Sequence, residues 1–125
     1  MVLDQAGFID RYENGVRENS EGVRLSFTIK FHANLTRRAM AVIMQAQLAE
    51  IGIEVIPTEV EWVTLVGQFS NPEIRDFDGV VLGWDTDFRL DDTVLFHSDH
   101  VDGPNAFSGT RRSDIDEALE RLPLV

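Results

Sequence analysis

Three segments of the chain carry the residue patterns of β-strands. Residues 25–31 alternate apolar and polar side chains with period two, and we predict a strand over 24–32. A second strand is predicted over 53–59. Residues 77–84 hold an apolar run too continuous for a one-sided strand, which indicates a strand buried on both faces. The short helical connections predict right-handed crossovers and a parallel sheet in which the first strand lies between the other two.

The segment between the first two strands has the pattern of a helix. We predict this helix over 35–51, with Asn34 as its N-terminal cap and Gly52 beyond its end. Its buried face is expected to contain the apolar residues at helical spacing. These are Ala39, Val42, Ile43, Ala46 and Ala49, widened by Met40, Leu48 and Ile51.

Shorter helices are predicted elsewhere. Residues 61–69 have the pattern of a short helix, and residues 93–98 that of a short apolar helix or turn. Ser113 is expected to cap a C-terminal helix over 114–122. Residues 1–10 resemble the end of a helix closed by Gly7, and 10–22 a loop with tight turns.

Composition excludes several classes of function. The 125 residues can form one compact domain, and 43% hydrophobic with 26% charged residues is typical of a folded chain. The net charge of −11 excludes nucleic acid as an expected partner, since phosphate binding needs clustered Lys and Arg. Without cysteine, the chain has no disulfide or thiol chemistry. The pattern includes no membrane span and no signal peptide, and both ends are interpreted as cuts inside a longer protein.

Several segments, in order and at matching spacing, resemble a known family. The longest is residues 34–55, whose Gln-Ala-Gln-Leu-Ala-Glu-Ile-Gly-Ile at 45–53 is similar to a helix-to-strand segment of extracellular solute-binding proteins for peptides. Further matches are residues 3–8, 14–18, 77–84, 95–99, 107–109 and 115–119. On these residues the chain is identified as a member of the peptide/nickel-binding family (family 5) of ABC-importer solute-binding proteins.

The resemblance implies an α/β fold of the type II periplasmic-binding-protein kind, here a lobe fragment with a mainly parallel sheet and helices on both faces. Residues 1–125 would be part of the C-terminal lobe, with 1–22 as an entry helix end and loop and 23–125 as the α/β core and C-terminal helix. The implied partners are a peptide or other small solute, ABC permease subunits and the N-terminal lobe. The implied location is periplasmic, or extracellular and membrane-anchored.

The same resemblance implies a ligand site. Asp87 falls where peptide-binding relatives place the carboxylate that pairs with the free α-amino group of a peptide, and Trp84 and Phe88 would flank it as aromatic walls. A solvated loop carboxylate and a packing role for Trp84 are the alternatives. The same loop also contains Asp85, Asp91 and Asp92.

The sequence departs from the family around this loop. Residues 87–95 lack the family's prolines, Ala106 stands where Asn is usual, and Arg111-Arg112 replace a small polar pair. These changes leave open a same-fold carrier or sensor for an oligosaccharide or a metal chelate. An α/β hydrolase is a more distant alternative.

Two clusters invite a metal interpretation, and neither supports it. Asp10, Asn14, Gly15, Glu18 and Glu21 match positions of a calcium loop, but Tyr12 occupies a ligand position, which favours a surface turn.

A second cluster holds two histidines with neighbouring acids. His97 and His100 lack the spacing of a zinc site. With no nucleophile motif either, we expect no cofactor, no metal and no catalytic residue. Exposed apolar surface on an isolated lobe fragment also predicts self-association.

Overall fold

The computed structural model describes residues 1–85 and 91–122. The chain divides into two compact units. The first comprises Met1–Trp62 and Phe77–Leu82, and the second comprises Val63–Asp76 and the chain from Gly83 onward.

A three-stranded parallel sheet forms the centre of the first unit. Its strands are β1 (Ser26–His32), β2 (Glu54–Val60) and β3 (Gly79–Val81), in the order β2-β1-β3. All pairs are parallel, with Ser26 opposite Glu54 and Ile29 opposite Gly79. The predicted α/β class, the parallel pairing and the central position of the first strand are therefore confirmed.

The third strand is shorter than the prediction of 77–84. Asp78 lies just before β3, where its carboxylate accepts a hydrogen bond from the Thr28 backbone at 2.8 Å. Gly79 then packs so closely on β1 that a Cβ there would lie 2.6 Å from Ile29 Cδ1. The strand ends at Val81, so Trp84 lies beyond it rather than inside it.

Helix α2 (Leu35–Ala49) connects β1 to β2, as predicted. The Asn34 side chain accepts a hydrogen bond from the Arg37 N–H at 3.1 Å, which confirms its capping role. Beyond the helix, Gly52 has a φ of +83°, a conformation that glycine adopts without a steric penalty.

The predicted buried face of α2 is wrong except at Leu48. The residue packed into the core with Phe31 and Val81 is Ala41, whose exposure is 0%. Met44 and Leu48 on that side are half-buried. Residues Val42 and Ile43 are 49% and 54% exposed. Apolar residues occur on every side of this helix, so their spacing did not select the side that the sheet covers.

The N-terminal segment begins with α1 (Val2–Gln5), followed by Gly7 with a φ of +88°. Arg17 holds this segment in place through bonds to Asp4 Oδ1 at 2.7 Å and the Phe8 carbonyl at 2.8 Å. The predicted helix end and loop are therefore present and fixed to the first unit.

The second unit consists of short helices. Helix α3 (Trp62–Ser70) begins in the first unit, and a 3₁₀ turn (Pro72–Ile74), α4 (Thr93–Phe96), a second 3₁₀ turn (Ser98–His100) and α5 (Ser113–Arg121) follow. Its buried apolar residues are Leu65, Leu95, Val101 and Ala106.

Polar and aromatic contacts join these pieces. The rings of Phe69 and Phe107 lie 4.7 Å apart, and the Arg75 guanidinium donates to the carbonyls of Phe69 at 3.3 Å and Gly103 at 3.2 Å.

The expected cap of the last helix is wrong. Ser113 is the first residue of α5 and makes no capping bond, because the helix starts one residue earlier than predicted. Asp114 bonds to the Arg112 guanidinium at 2.6 Å, and these bonds hold the pKa of the Asp114 carboxyl below its ordinary value. None of the helices in the described ranges has the length and apolar character of a membrane span.

Candidate ligand-binding site

Two aromatic residues meet where β1 and β2 end. His32 is the last residue of β1, and Trp62 follows β2 by two residues. Their ring centroids are 5.6 Å apart with an interplanar angle of 58°. Parallel strands bring their carboxyl ends to one edge of a sheet, and ligands of open α/β sheets bind beyond that edge.

The pair is held by its backbone surroundings. His32 lies opposite Val60 in the strand register, and its Nδ1 lies 3.4 Å from the Val60 carbonyl oxygen. The loop after β1 is fixed by the Asn34 cap on α2. An ion pair between Arg38 and Glu59 ties α2 to β2 beside the same edge. The rings are therefore mounted on regular elements rather than on a free loop.

The chemistry of this edge suits an apolar group with polar ends. The Trp62 side chain remains 43% exposed, so a ligand can cover its indole face. Flat aromatic surfaces give large contact areas at low conformational cost, and both rings carry nitrogen atoms that form hydrogen bonds.

The resemblance-based site residues are only partly described. Trp84 comes three residues after the end of β3 and is 50% exposed, which leaves its indole accessible. Asp87 and Phe88 lie outside the described residues. Their ligand-binding roles stay predictions, and so does that of Trp84.

The sequence analysis placed neither His32 nor Trp62 in the site. A usable signal was present, because each residue lies at or just after the carboxyl end of a predicted strand. What the sequence alone did not supply was the register that places one ring beside the other.

The calcium-like segment forms a tight turn. The Asp10 carboxylate accepts the backbone N–H groups of Asn14 at 3.1 Å and Gly15 at 2.8 Å, and Gly15 has a φ of +85°. Glu18 is buried and accepts the Arg11 N–H at 2.7 Å. Carboxylate oxygens that accept backbone N–H groups therefore hold this turn. Within the described ranges, no three His, Cys, Asp or Glu side chains are grouped as a metal would require.

The histidine-rich segment links α4 to α5. His97 accepts the Asp99 N–H at 3.1 Å, and its other ring nitrogen lies 3.4 Å from Glu120 Oε1. The Asp116 carboxylate accepts bonds from both the N–H and the hydroxyl of Ser98, at 2.9 and 2.6 Å. These bonds hold the pKa of the Asp116 carboxyl below its ordinary value. The segment thus has a structural role in the second unit.

Comparison with known proteins identifies the family. Residues 2–105 match the family model of bacterial extracellular solute-binding proteins, family 5 Middle. The chain is 40% identical over 101 residues to the oligopeptide-binding protein AppA of Bacillus subtilis (strain 168). The aligned residues cover 80% of this chain and 18% of AppA.

Solved structures agree on the fold. The AppA structure in complex with a nonapeptide superimposes with a TM-score of 0.82 at 34% identity, over 94% of this chain and 23% of that one. NikZ from Campylobacter jejuni, solved with Ni(L-His), gives a TM-score of 0.75 at 23% identity, over 99% of this chain and 25% of NikZ. This chain therefore belongs to family 5 of the bacterial extracellular solute-binding proteins and spans about a fifth of the length of the curated relative it matches.

Proposed function

We propose that this segment works within a longer solute-binding protein that captures peptides for an ABC importer. The observation that carries the proposal is the 40% identity over 101 residues to an oligopeptide-binding protein. The matched range 2–105 includes both exposed tryptophans, Trp62 and Trp84. The chain would act as a carrier rather than as an enzyme.

The proposed mechanism is closure of two lobes on the ligand. The segment supplies part of the C-terminal lobe, with residues 1–22 as its entry and 23–125 as its α/β core. A permease in the membrane then receives the ligand, and the protein works in the periplasm or anchored outside the cell. Closure removes water from the ligand's charged ends, which strengthens charge-assisted hydrogen bonds.

Within this mechanism, Asp87 binds the peptide α-amino group and Trp84 and Phe88 flank it. The His32–Trp62 pair adds a second contact surface at the carboxyl ends of β1 and β2. Peptide side chains of different shapes can pack against two rigid aromatic rings, which fits a carrier that binds mainly peptide termini and backbone.

The first test replaces one carboxylate. In the longer protein, Asp87→Asn is expected to weaken binding of peptides with a free α-amino group by about 2–5 kcal/mol, as for removal of one partner from a buried charge pair. The matched control is Asp85→Asn, since Asp85 is exposed in the same loop. An equal loss in both variants, measured by calorimetry, would assign the effect to the general acidity of the loop and refute the role of Asp87.

The second test addresses the aromatic pair. Trp62→Ala is expected to weaken peptide binding by about 1 kcal/mol or more, as for an aromatic contact residue. Tyr12→Ala is the control, because Tyr12 is 74% exposed in the loop that follows α1, outside the elements that hold His32 and Trp62. Identical affinity of the Trp62→Ala variant and the unmodified protein would remove the pair from the site.

The alternative is a non-peptide solute on the same fold. Residues 87–95 lack the family's prolines, and this difference near the expected ligand loop supports the alternative. Mass spectrometry of the ligand that copurifies with the longer protein separates the two. A peptide mixture supports the proposal, and a sugar or a metal chelate supports the alternative.

A further inference from the structure

The loop after α1 contains the one Asn-Gly pair of the chain, Asn14-Gly15. Both residues are exposed, and Gly15 has a φ of +85°. No atom lies within 4 Å of the position that a Cβ on Gly15 would take. An asparagine before a glycine is chemically labile, because no side chain shields the glycine nitrogen from the asparagine amide carbon.

The Asn14 side chain is held across this peptide bond. Its Oδ1 accepts the Val16 N–H at 3.0 Å, and the ring that this hydrogen bond closes contains both Asn14 Cγ and the Gly15 nitrogen. An N–H at that oxygen also stabilises the negative charge that develops there when a nucleophile attacks Cγ. The side chain is therefore prepared for attack by the Gly15 nitrogen.

The Asp10 carboxylate opposes the same attack. Its Oδ2 accepts the Gly15 N–H at 2.8 Å, and its Oδ1 accepts the Asn14 N–H at 3.1 Å. The Gly15 nitrogen has to lose its proton before it attacks. A bond from the N–H to a carboxylate stabilises the protonated form, and the negative charge of Asp10 disfavours a second negative charge on the nitrogen. The closed turn therefore holds the reaction back.

We propose that Asn14 is a site of spontaneous deamidation and that Asp10 sets its rate by keeping the turn closed. When the turn opens, the Gly15 N–H gives its proton to solvent and the nitrogen forms a bond to Asn14 Cγ. The side-chain amide nitrogen takes up a proton and leaves as ammonia, which produces a cyclic succinimide. Water then opens the ring at either carbonyl carbon and gives aspartate or isoaspartate at position 14.

The modification prevents the turn from closing again. Both products replace a neutral amide by a carboxylate, next to the backbone N–H that Asp10 holds at 3.1 Å, and the two like charges repel each other. Isoaspartate also inserts a methylene group into the main chain before Gly15. The two bonds of Asp10 then no longer fit one backbone path, so a transient local opening becomes a permanent change.

The first test needs no variant. The longer protein is kept in buffer or in unfolding concentrations of urea, and trypsin then releases residues 12–17, with Asn14, and residues 18–24, with Asn19. Mass spectrometry follows the exchange of amide nitrogen for oxygen in each peptide. We expect Asn14 to convert more slowly in the folded protein by about tenfold or more, since conversion there waits for local opening. The products should include isoaspartate, which requires the cyclic intermediate.

Asn19 is the internal reference. Its Oδ1 accepts the N–H groups of Glu21 at 3.0 Å and Val23 at 2.8 Å, a bonding pattern similar to that of Asn14. The residue that follows it is Ser20, whose side chain hinders attack by the backbone nitrogen. In urea, Asn19 should therefore convert more slowly than Asn14.

The second test removes the carboxylate. Asp10→Ala should speed the conversion of Asn14 in the folded protein by about tenfold or more, because two hydrogen bonds to a charged acceptor are lost. Glu13→Ala is the matched control, since it removes the same charge from an exposed residue beside Asn14 and should leave the rate unchanged. In urea, both variants and the unmodified protein should convert Asn14 at one rate. Circular dichroism at the start checks that each variant is folded.

Four results would each overturn the proposal. Asn14 converts as fast in the folded protein as in urea, or it yields aspartate without isoaspartate. Asp10→Ala fails to speed the reaction in the folded protein, or Glu13→Ala speeds it equally. Peptide binding enters none of these measurements, so the fate of this proposal and that of the proposed function are separate.

Discussion

Replacing Gly52 by alanine is expected to destabilise the first unit through two separate effects. Gly52 follows α2, where its N–H bonds to Ala49 O at 3.1 Å and the next N–H, of Ile53, bonds to Leu48 O at 3.0 Å. This is the Schellman pattern of a helix end, which needs a positive φ at the glycine. The φ of +83° adds about 1–2 kcal/mol of strain for an alanine.

The second effect is a collision with Arg17. A Cβ at Gly52 would lie 2.6 Å from Arg17 Cγ and 3.0 Å from Cδ. The Arg17 side chain is only 18% exposed, and it donates to the Ile51 carbonyl at 2.8 Å and to Asp4 at 2.7 Å. Displacing it weakens these bonds, which adds about 1–2 kcal/mol. Gly52→Ala should therefore lower the free energy of unfolding by about 2–4 kcal/mol.

Two other glycines isolate the effects. Gly22 has a φ of +81° with no atom within 4 Å of an added Cβ, so Gly22→Ala should show only the strain. Gly67 lies inside α3 in open space, so Gly67→Ala should raise the free energy of unfolding by about 0.5–1 kcal/mol. Urea unfolding followed by circular dichroism measures all three. If Gly52→Ala destabilises no more than Gly22→Ala, the collision with Arg17 is refuted.

Further predictions concern the pH dependence of stability, the contact between Ser98 and Asp116, and peptide binding by the isolated chain. The Arg17 guanidinium lowers the pKa of Asp4 from 3.8 to about 2. The stabilisation from the ionised Asp4 is therefore complete above pH 3.8 and is lost as the pH falls toward 2, so the stability difference between the unmodified chain and Asp4→Asn should shrink over that window. Unfolding curves at each pH measure this difference, and a constant difference would contradict the prediction. Ser98→Ala removes the hydroxyl bond and keeps the N–H bond, so it should move the pKa of Asp116 part of the way back toward its ordinary value, as measured by NMR titration of the carboxyl. An unchanged pKa would contradict the role of the Ser98 hydroxyl. The isolated 125 residues should bind no peptide at micromolar concentration. Without a second lobe, an ion pair between the peptide and a carboxylate faces water and contributes only about 0–1 kcal/mol. Saturable binding in calorimetry would contradict the two-lobe mechanism.

The sequence predicted the order of elements and the sheet topology because their signals are local. The alternation in 25–31 and the Asn34 cap set the limits of β1 and α2, and short connections imposed the parallel order. The buried side of α2 was mispredicted because its apolar residues surround the helix, and the sheet contact at Ala41 is a tertiary choice.

The candidate site was less accessible to sequence reasoning for the same physical reason. Trp84 was predicted as a site residue from family resemblance, whereas the His32–Trp62 contact depends on strand register. Contacts between elements distant in the chain leave little trace in local pattern.

Titration calorimetry on the longer protein tests the central claim most directly. The measurement compares one peptide with a free α-amino group and the same peptide after N-acetylation, which removes the positive charge and leaves the remaining groups in place. Peptide capture through a carboxylate predicts saturable binding of the free peptide and an affinity lower by about 2–5 kcal/mol for the acetylated one. Equal affinity for both peptides, or no binding of either, would contradict the account.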